Sequence, residues 1–139
     1  MPQQLSAGSA MPGKRYLLDT NALVALLQGH QGLLALSDKA QWLGVSVINV
    51  LEFLGFDGLT ETDRSLFLEL VSRLTVVDLN YGNTALMERV TDLRKTRAIK
   101  LPDAVVMASA ALHDATVITN DAVLLKLNAT EIGYAAQAF

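Results

Sequence analysis

Apolar positions along this chain fall into two alternating rhythms. Short unbroken runs occur in "RYLLD" (residues 15–19), "LGVSVI" (43–48), "TVVDL" (75–79) and "ATVITN" (115–120). Such runs read as strands buried on both faces, as in a parallel sheet. Helical patterns separate them, over residues 21–28, 32–40, 49–56, 60–74 and 82–98. Within 60–74, Leu66, Phe67, Leu70, Val71 and Leu74 recur at the spacing of one helix face. The segment opened by Pro102 and Asp103 is apolar nearly all round and predicts a buried helix. A short helix over 121–127 and a last strand near "TEIGY" (130–134) complete the series. Strands alternating with helices imply a parallel sheet covered on both faces. One domain is expected over residues 15–139, behind a small, polar, Pro- and Gly-containing leader over 1–14.

Composition narrows the class. A chain of 139 residues suits one domain with a real core. Its 51% hydrophobic content exceeds what a lone small domain needs, which points to an oligomer or a partner. The absence of Cys excludes a disulfide framework and a thiolate metal site, and fits a reducing cytoplasm. No apolar run approaches the roughly 18 residues of a membrane span, and the start lacks a signal peptide's apolar centre. A net charge of −3 argues against a protein that coats a nucleic-acid backbone with cations.

The acids carry the chemistry. In open α/β sheets, sites form beyond the carboxyl ends of the strands. Asp19 ends the first strand, Glu52 falls in the first turn after the second, Asp103 opens the buried helix, and Asp121 follows the fourth strand. Each has an ordinary use. Asp19 and Asp121 suit helix caps, and Glu52 suits a capping box with Asn49. Asp103 suits the positive end of a helix dipole, a contribution of about 0.5 kcal/mol. Taken together, four carboxylates on one sheet edge repel one another, and a cation offsets that repulsion. Oxygen donors without Cys or a well-placed His suit Mg²⁺ or Mn²⁺ rather than zinc. Such an ion polarises phosphoryl oxygens and acidifies bound water, so phosphodiester hydrolysis is the natural reaction class. A response-regulator receiver domain also gathers acids around Mg²⁺. It would need a phosphoacceptor Asp after a middle strand and a late Lys; here Asp78 falls inside the third predicted strand, and no such Lys follows.

"YLLDTNALVALL", "VSVINVLEFLGF" and "LPDAVVMASAALHDATVITND" occur in the order of the motif blocks of PIN-domain ribonucleases, and the chain resembles that family from Arg15 onward. Within it, the similarity is to VapC-type toxins of bacterial toxin–antitoxin pairs. The resemblance implies a three-layer α/β/α sandwich and a magnesium- or manganese-dependent endoribonuclease. It implies that Asp19, Glu52, Asp103 and Asp121 form the acidic centre, with Asp19 and Asp103 the most direct metal ligands. Asn21, Thr119 and Asn120 would shape the pocket through hydrogen bonds. An RNA substrate, a cognate antitoxin and a homodimer are the implied partners. A PIN-like module that binds RNA or protein without cutting is the alternative, and retention of all four acids argues against it.

The remaining features read more plainly. Arg94, Lys95, Arg97 and Lys100 suit a solvated helix end, with Arg97 and Lys100 as candidate phosphate contacts. His30 and His113 have no partner pattern and read as structural. Trp42 reads as a packing residue, because base stacking would need it near the acidic edge. "SLFLELVSRL" supplies core on one face and a candidate dimer seam or antitoxin groove on the rest.

Overall fold

The computed structural model describes residues 14–129 and 133–139. The proposed leader over 1–14 therefore lies outside the described residues except for Lys14, as do residues 130–132 of the expected last strand. Among the described residues, five parallel strands form one sheet: β1 (Arg15–Leu18), β2 (Trp42–Ser46), β3 (Thr75–Val77), β4 (Thr116–Ile118) and β5 (Ala136–Gln137). Their order is β3-β2-β1-β4-β5. The chain walks outward from β1 through β2 to β3, then crosses to the other side of β1. The switch point, where neighbouring strands send their connections to opposite sides, lies between β1 and β4. A receiver domain has the order 2-1-3-4-5, so this topology excludes that reading.

Among the described residues, seven helices cover the sheet: α1 (Thr20–Leu27), α2 (Gln31–Lys39), α3 (Val47–Leu54), α4 (Glu61–Ser72), α5 (Thr84–Arg97), α6 (Leu101–Leu112) and α7 (Ala122–Leu125). Period-two alternation along the strands divides the core. Leu17 and Val117 face a cluster with Leu86, Val90 and Leu93 of α5 and the apolar body of α6. Leu18 and Ile118 face the other way, toward Leu23 of α1, Phe53 of α3 and Phe67 of α4. The result is three layers, helix on sheet on helix. No helix among the described residues is long and apolar enough to cross a membrane.

Several boundaries differ from the sequence reading. β2 stops at Ser46 rather than running to Ile48, because the Ser46 hydroxyl accepts from Ile48 N at 3.1 Å and caps α3. The β-branched pair Val47–Ile48 thus opens a helix despite its strand propensity. Glu52 in consequence lies in the second turn of α3, and Asn49 lies inside the helix rather than at its cap. β3 ends at Val77, so Asp78 follows the strand instead of lying within it. The last strand sits at Ala136–Gln137, beyond "TEIGY"; within that stretch Tyr134 makes an isolated bridge with Ala129. Pro102 is the second residue of α6 and Asp103 the third.

The α5–α6 hairpin carries Asp103 to the carboxyl edge of the sheet. Ala98 ends α5 in the left-handed region (φ 54°), a conformation that closes helices but is unfavourable for a residue with a Cβ. α6 then starts at Leu101 and runs back antiparallel to the strands, buried from Ala104 to Ala110.

Candidate active site at the switch point

Asp19 stands one residue past β1, where its N–H donates to the carbonyl of Ile118 at the end of β4 (3.1 Å). Its carboxylate occupies the cap position of α1 but makes no capping hydrogen bond, so the cap reading fails for this residue. Both oxygens are instead held from neighbouring elements. Oδ1 accepts from Asn49 Nδ2 at 2.9 Å. Oδ2 accepts from Thr119 Oγ1 at 2.7 Å and, more weakly, from Asn21 Nδ2 at 3.4 Å. Burial pushes the Asp19 pKa up, the Thr119 hydrogen bond opposes it, and the charge of Glu52 adds to the rise.

Thr119 and Asn21 tie the two sides of the switch point together. The Thr119 hydroxyl also accepts from Asp121 N (2.9 Å) and Asn21 Nδ2 (3.2 Å). Asn21 Oδ1 accepts from Asn120 N at 3.1 Å. The Asn120 side chain turns elsewhere: its Oδ1 accepts from Phe139 N at 2.9 Å, so it anchors the chain end rather than facing the cleft. Asp121 does both things expected of it. Its Oδ1 caps α7 through Val123 N at 2.8 Å, and its side chain lines the same cleft as Asp19.

Glu52 reaches the cleft from α3. Its Oε1 accepts from Thr20 Oγ1 at 2.7 Å and from Asn49 Nδ2 at 3.1 Å. Asp103 reaches it from the first turn of α6. Burial raises the Asp103 pKa most, then the charges of Asp121, Asp19 and Glu52, against a smaller lowering by Lys100. The field of all three other acids is felt at Asp103, so the four form one electrostatic unit. Asp19, Glu52, Asp103 and Asp121 line one open cleft of about 390 Å³, floored by Val24 and Val106 and edged by Phe56 and Pro102.

The acids do not form a closed cage. Among the described residues, no three His, Cys, Asp or Glu side chains are grouped as a preformed metal site. Carboxylates carried on four separate elements keep their distance when they share one sign of charge. The donor set nevertheless fits a hard divalent cation: all the acidic side chains of the cleft are oxygen donors, and no sulfur or imidazole lines it.

Other candidates fall outside the cleft. Lys100 caps α6 by position, near enough to act on Asp103, whereas Arg97 lines a separate depression with Arg89 and Tyr134. His30 Nδ1 accepts from Leu33 N (3.2 Å) and caps α2. His113 and Trp42 stack on each other at 5.1 Å, at the amino end of β2. Two residues of the cleft escape the sequence reading: Thr20 and Asn49. The available signal for Asn49 is its spacing of three from Glu52, which places both on one helix face once the helix start is set at Val47.

The profile of the PIN domain family matches residues 16–129. No curated protein matches the sequence. Among solved structures, the chain is similar to a toxin–antitoxin complex from Klebsiella pneumoniae, with 27% identity, TM-score 0.63, and coverage of 76% of this chain and 86% of the other. It is similar in fold to VapBC2 from Rickettsia felis bound to a promoter DNA fragment (22% identity, TM-score 0.68, 89% and 98% covered). DNA-bound VapBC from Salmonella typhimurium gives 18% identity, TM-score 0.68, and 89% and 97% coverage. With most of its length matched by the family profile and its acids gathered at the switch point of the expected sheet, this chain belongs to the PIN domain family.

Proposed function

We propose that this protein is a divalent-metal-dependent endoribonuclease and acts as the toxin of a toxin–antitoxin pair. The observation that carries the reading is the convergence of Asp19, Glu52, Asp103 and Asp121 on one cleft, from four elements around the β1/β4 switch point. A bound Mg²⁺ or Mn²⁺ supplies charge stabilisation at the phosphoryl oxygens and a water of lowered pKa. The chain's own residues set the stage for that chemistry. Asp19 and Asp103 would hold the ion through carboxylate oxygens, and Glu52 and Asp121 would complete the acidic shell. Thr119, Asn49 and Asn21 fix the rotamer of Asp19 through both its oxygens. Such orienting partners raise the fidelity of a metal site, because the ligand spends little time in unproductive geometry.

The partner reading rests on the surface beside the cleft. A groove of about 320 Å³ runs between α1 and the α3–α4 corner, with an apolar floor that includes Leu27, Phe53, Phe56 and Leu66 and with Asp57 and Asp63 also in its lining. Phe56 and Val24 border the groove and the acidic cleft alike. A helix laid in this groove would cover the cleft mouth, as an inhibitory antitoxin must. The similar solved structures are toxin–antitoxin complexes, which supports this choice of partner. Leu51, Leu101 and Val123 are exposed apolar residues on the helices that carry or adjoin the acids, and they suit a homodimer seam. With an RNA target and an antitoxin as partners, this reading implies a cytoplasmic site of action.

The test uses purified chain freed of any bound antitoxin, incubated with labelled total RNA in Mg²⁺, Mn²⁺ or EDTA, beside Asp103→Asn. Cleavage that needs metal and vanishes in the variant is expected. Equal cleavage by Asp103→Asn would overturn the acidic-centre mechanism. A folded wild type that binds RNA without cutting it in any metal would leave a binding module in its place.

A further inference from the structure

Asn49, which carries no charge, makes three polar contacts in the cleft, as many as Asp19 itself. Its side chain is fully buried. One amide nitrogen, with two hydrogens to give, lies within hydrogen-bond distance of three acceptors: Asp19 Oδ1 (2.9 Å), Thr20 Oγ1 (2.9 Å) and Glu52 Oε1 (3.1 Å). The Thr20 hydroxyl closes the triangle by donating to Glu52 Oε1 at 2.7 Å. On the other side of the same amide, Asn49 Oδ1 is buried and has no hydrogen-bond partner. A side chain placed for stability would satisfy both ends of its amide, since an unpaired buried acceptor is costly. Asn49 satisfies only the end that faces the carboxylates.

We propose that Asn49 is a positioning residue that holds Asp19 and Glu52 together, in fixed orientation, for a divalent cation. The inference rests on the nuclease reading above. Asp19 and Glu52 carry like charges and repel each other. A donor shared between them offsets that repulsion and sets the direction in which each carboxylate's remaining oxygen lies. The chemistry of the position is restrictive. Lys or Arg would add a positive charge that competes with the cation. Asp would add an acceptor where donors are needed. An amide donates twice at no net charge, and the i, i+3 relation on α3 places it beside Glu52 while it reaches across to the end of β1.

The experiment compares wild type, Asn49→Leu, Asn49→Ala, Asn49→Thr and Asp103→Asn as full chains. Mn²⁺ affinity is read from the electron paramagnetic resonance signal of free Mn²⁺, and folding from circular-dichroism melts in chelator. Removal of the donors by Leu or Ala is expected to weaken Mn²⁺ binding about 10-fold or more, the scale of lost orienting partners in metal sites. Thr, which keeps one hydroxyl donor, is expected to lie between these variants and wild type. Cleavage by the Leu or Ala variant should recover as Mn²⁺ is raised, whereas Asp103→Asn should stay inactive. Leu retains the volume but leaves Asp19 Oδ1 without its Asn49 donor, so the metal-free melt should fall while the variant stays folded; Ala carries the test should Leu fail to pack. Unchanged Mn²⁺ affinity in the Leu or Ala variant beside a wild type that binds and cuts would overturn the positioning role alone. A wild type that binds no Mn²⁺ would overturn the nuclease reading and this inference with it.

Discussion

The carboxyl ends of β1 and β4 hold Asp19 and Thr119 among carboxylates that repel one another, whereas the amino ends of β1 and β2 hold Arg15 and Trp42 in a stack that closes on itself. At the amino end, Arg15 Nε donates to the His113 carbonyl at 2.7 Å, and its guanidinium lies 5.1 Å from the Trp42 ring centre. Trp42 stacks on His113 with ring planes 14° apart. The His113 ring nitrogen Nδ1 meets the Ser109 carbonyl at 2.9 Å. Trp42 folds over Gly44, where an added Cβ would come within 2.3 Å of the indole. Arg15 donates to a carbonyl and sits on an aromatic face, and the rings at this end have partners, although the buried Ser109 hydroxyl has none. The opposite end keeps a raised pKa at both Asp19 and Asp103, an orphaned amide oxygen at Asn49 and an open cleft. The sheet is the same; one end is arranged for stability and the other retains unspent electrostatic tension, the pattern expected where a ligand completes the structure.

The sharpest way to break this contrast is to neutralise the tense end. Asp103→Asn should lower RNA cleavage by more than about 100-fold, because loss of a ligand should exceed the roughly 10–100-fold effect of losing an orienting partner. Steady-state or single-turnover assays on a labelled fragment would read this, and a loss under tenfold would refute it. At the quiet end the effects should reverse in kind. Trp42→Ala should cost about 2–3 kcal/mol of stability by lost packing, and Gly44→Ala about 1–3 kcal/mol by overpacking against the indole. Urea denaturation would measure both, while cleavage per folded molecule should remain at the wild-type level.

A smaller effect concerns pH. Burial, and then the charges of Asp121, Asp19 and Glu52, raise the Asp103 pKa; burial foremost raises that of Asp19. The folded state therefore holds protons that the unfolded chain releases at the ordinary carboxylate pKa of about 4. Between that value and the raised native value, stability falls as pH rises, and above the native value the cost is fully present. In chelator, Asp103→Asn should accordingly melt above wild type at neutral pH, and the gap should close as pH falls through the carboxylate range. Mg²⁺ or Mn²⁺ should raise the wild-type melting temperature and leave the variant's nearly unchanged, through binding to the folded state alone. A variant less stable than wild type at pH 7 in chelator would contradict the tension ascribed to this end. The smallest effect is expected at Arg97, which lies over a separate depression. Arg97→Ala should change cleavage by less than about twofold, the scale of an exposed substitution away from a site.

Much of this was legible in the residues, and its limits are specific. The four strands named from apolar runs are strands β1 to β4; β3, however, stands at the sheet edge with Thr75 and Val76 exposed, so its apolar run marks strand propensity rather than burial on both faces. Propensity misplaced the end of β2, where the Ser46 cap decides the helix start against the β-branched Val47 and Ile48. That error hid Asn49, which looked like a cap for Glu52 and proves to be its neighbour inside α3. The site's acids stood out because charge is rare in apolar runs. Thr20 and Asn49 did not, because a small polar residue near a helix start has a common capping use that conceals any other.

The sequence by itself determined the alternation of strands and helices, the acids at strand ends and near helix starts, and the absence of cysteine. Local pattern suffices for these, since burial period and residue chemistry are properties of short segments. The tertiary structure alone decided that the sheet runs β3-β2-β1-β4-β5, that the turn after β1 faces the turn after β4, and that an amide on α3 bridges carboxylates from two other elements. Asp19 and Thr119 are a hundred residues apart in the chain and 2.7 Å apart in the fold. No local period encodes that approach; it follows from parallel pairing of β1 with β4, which the packing of both helical layers enforces together.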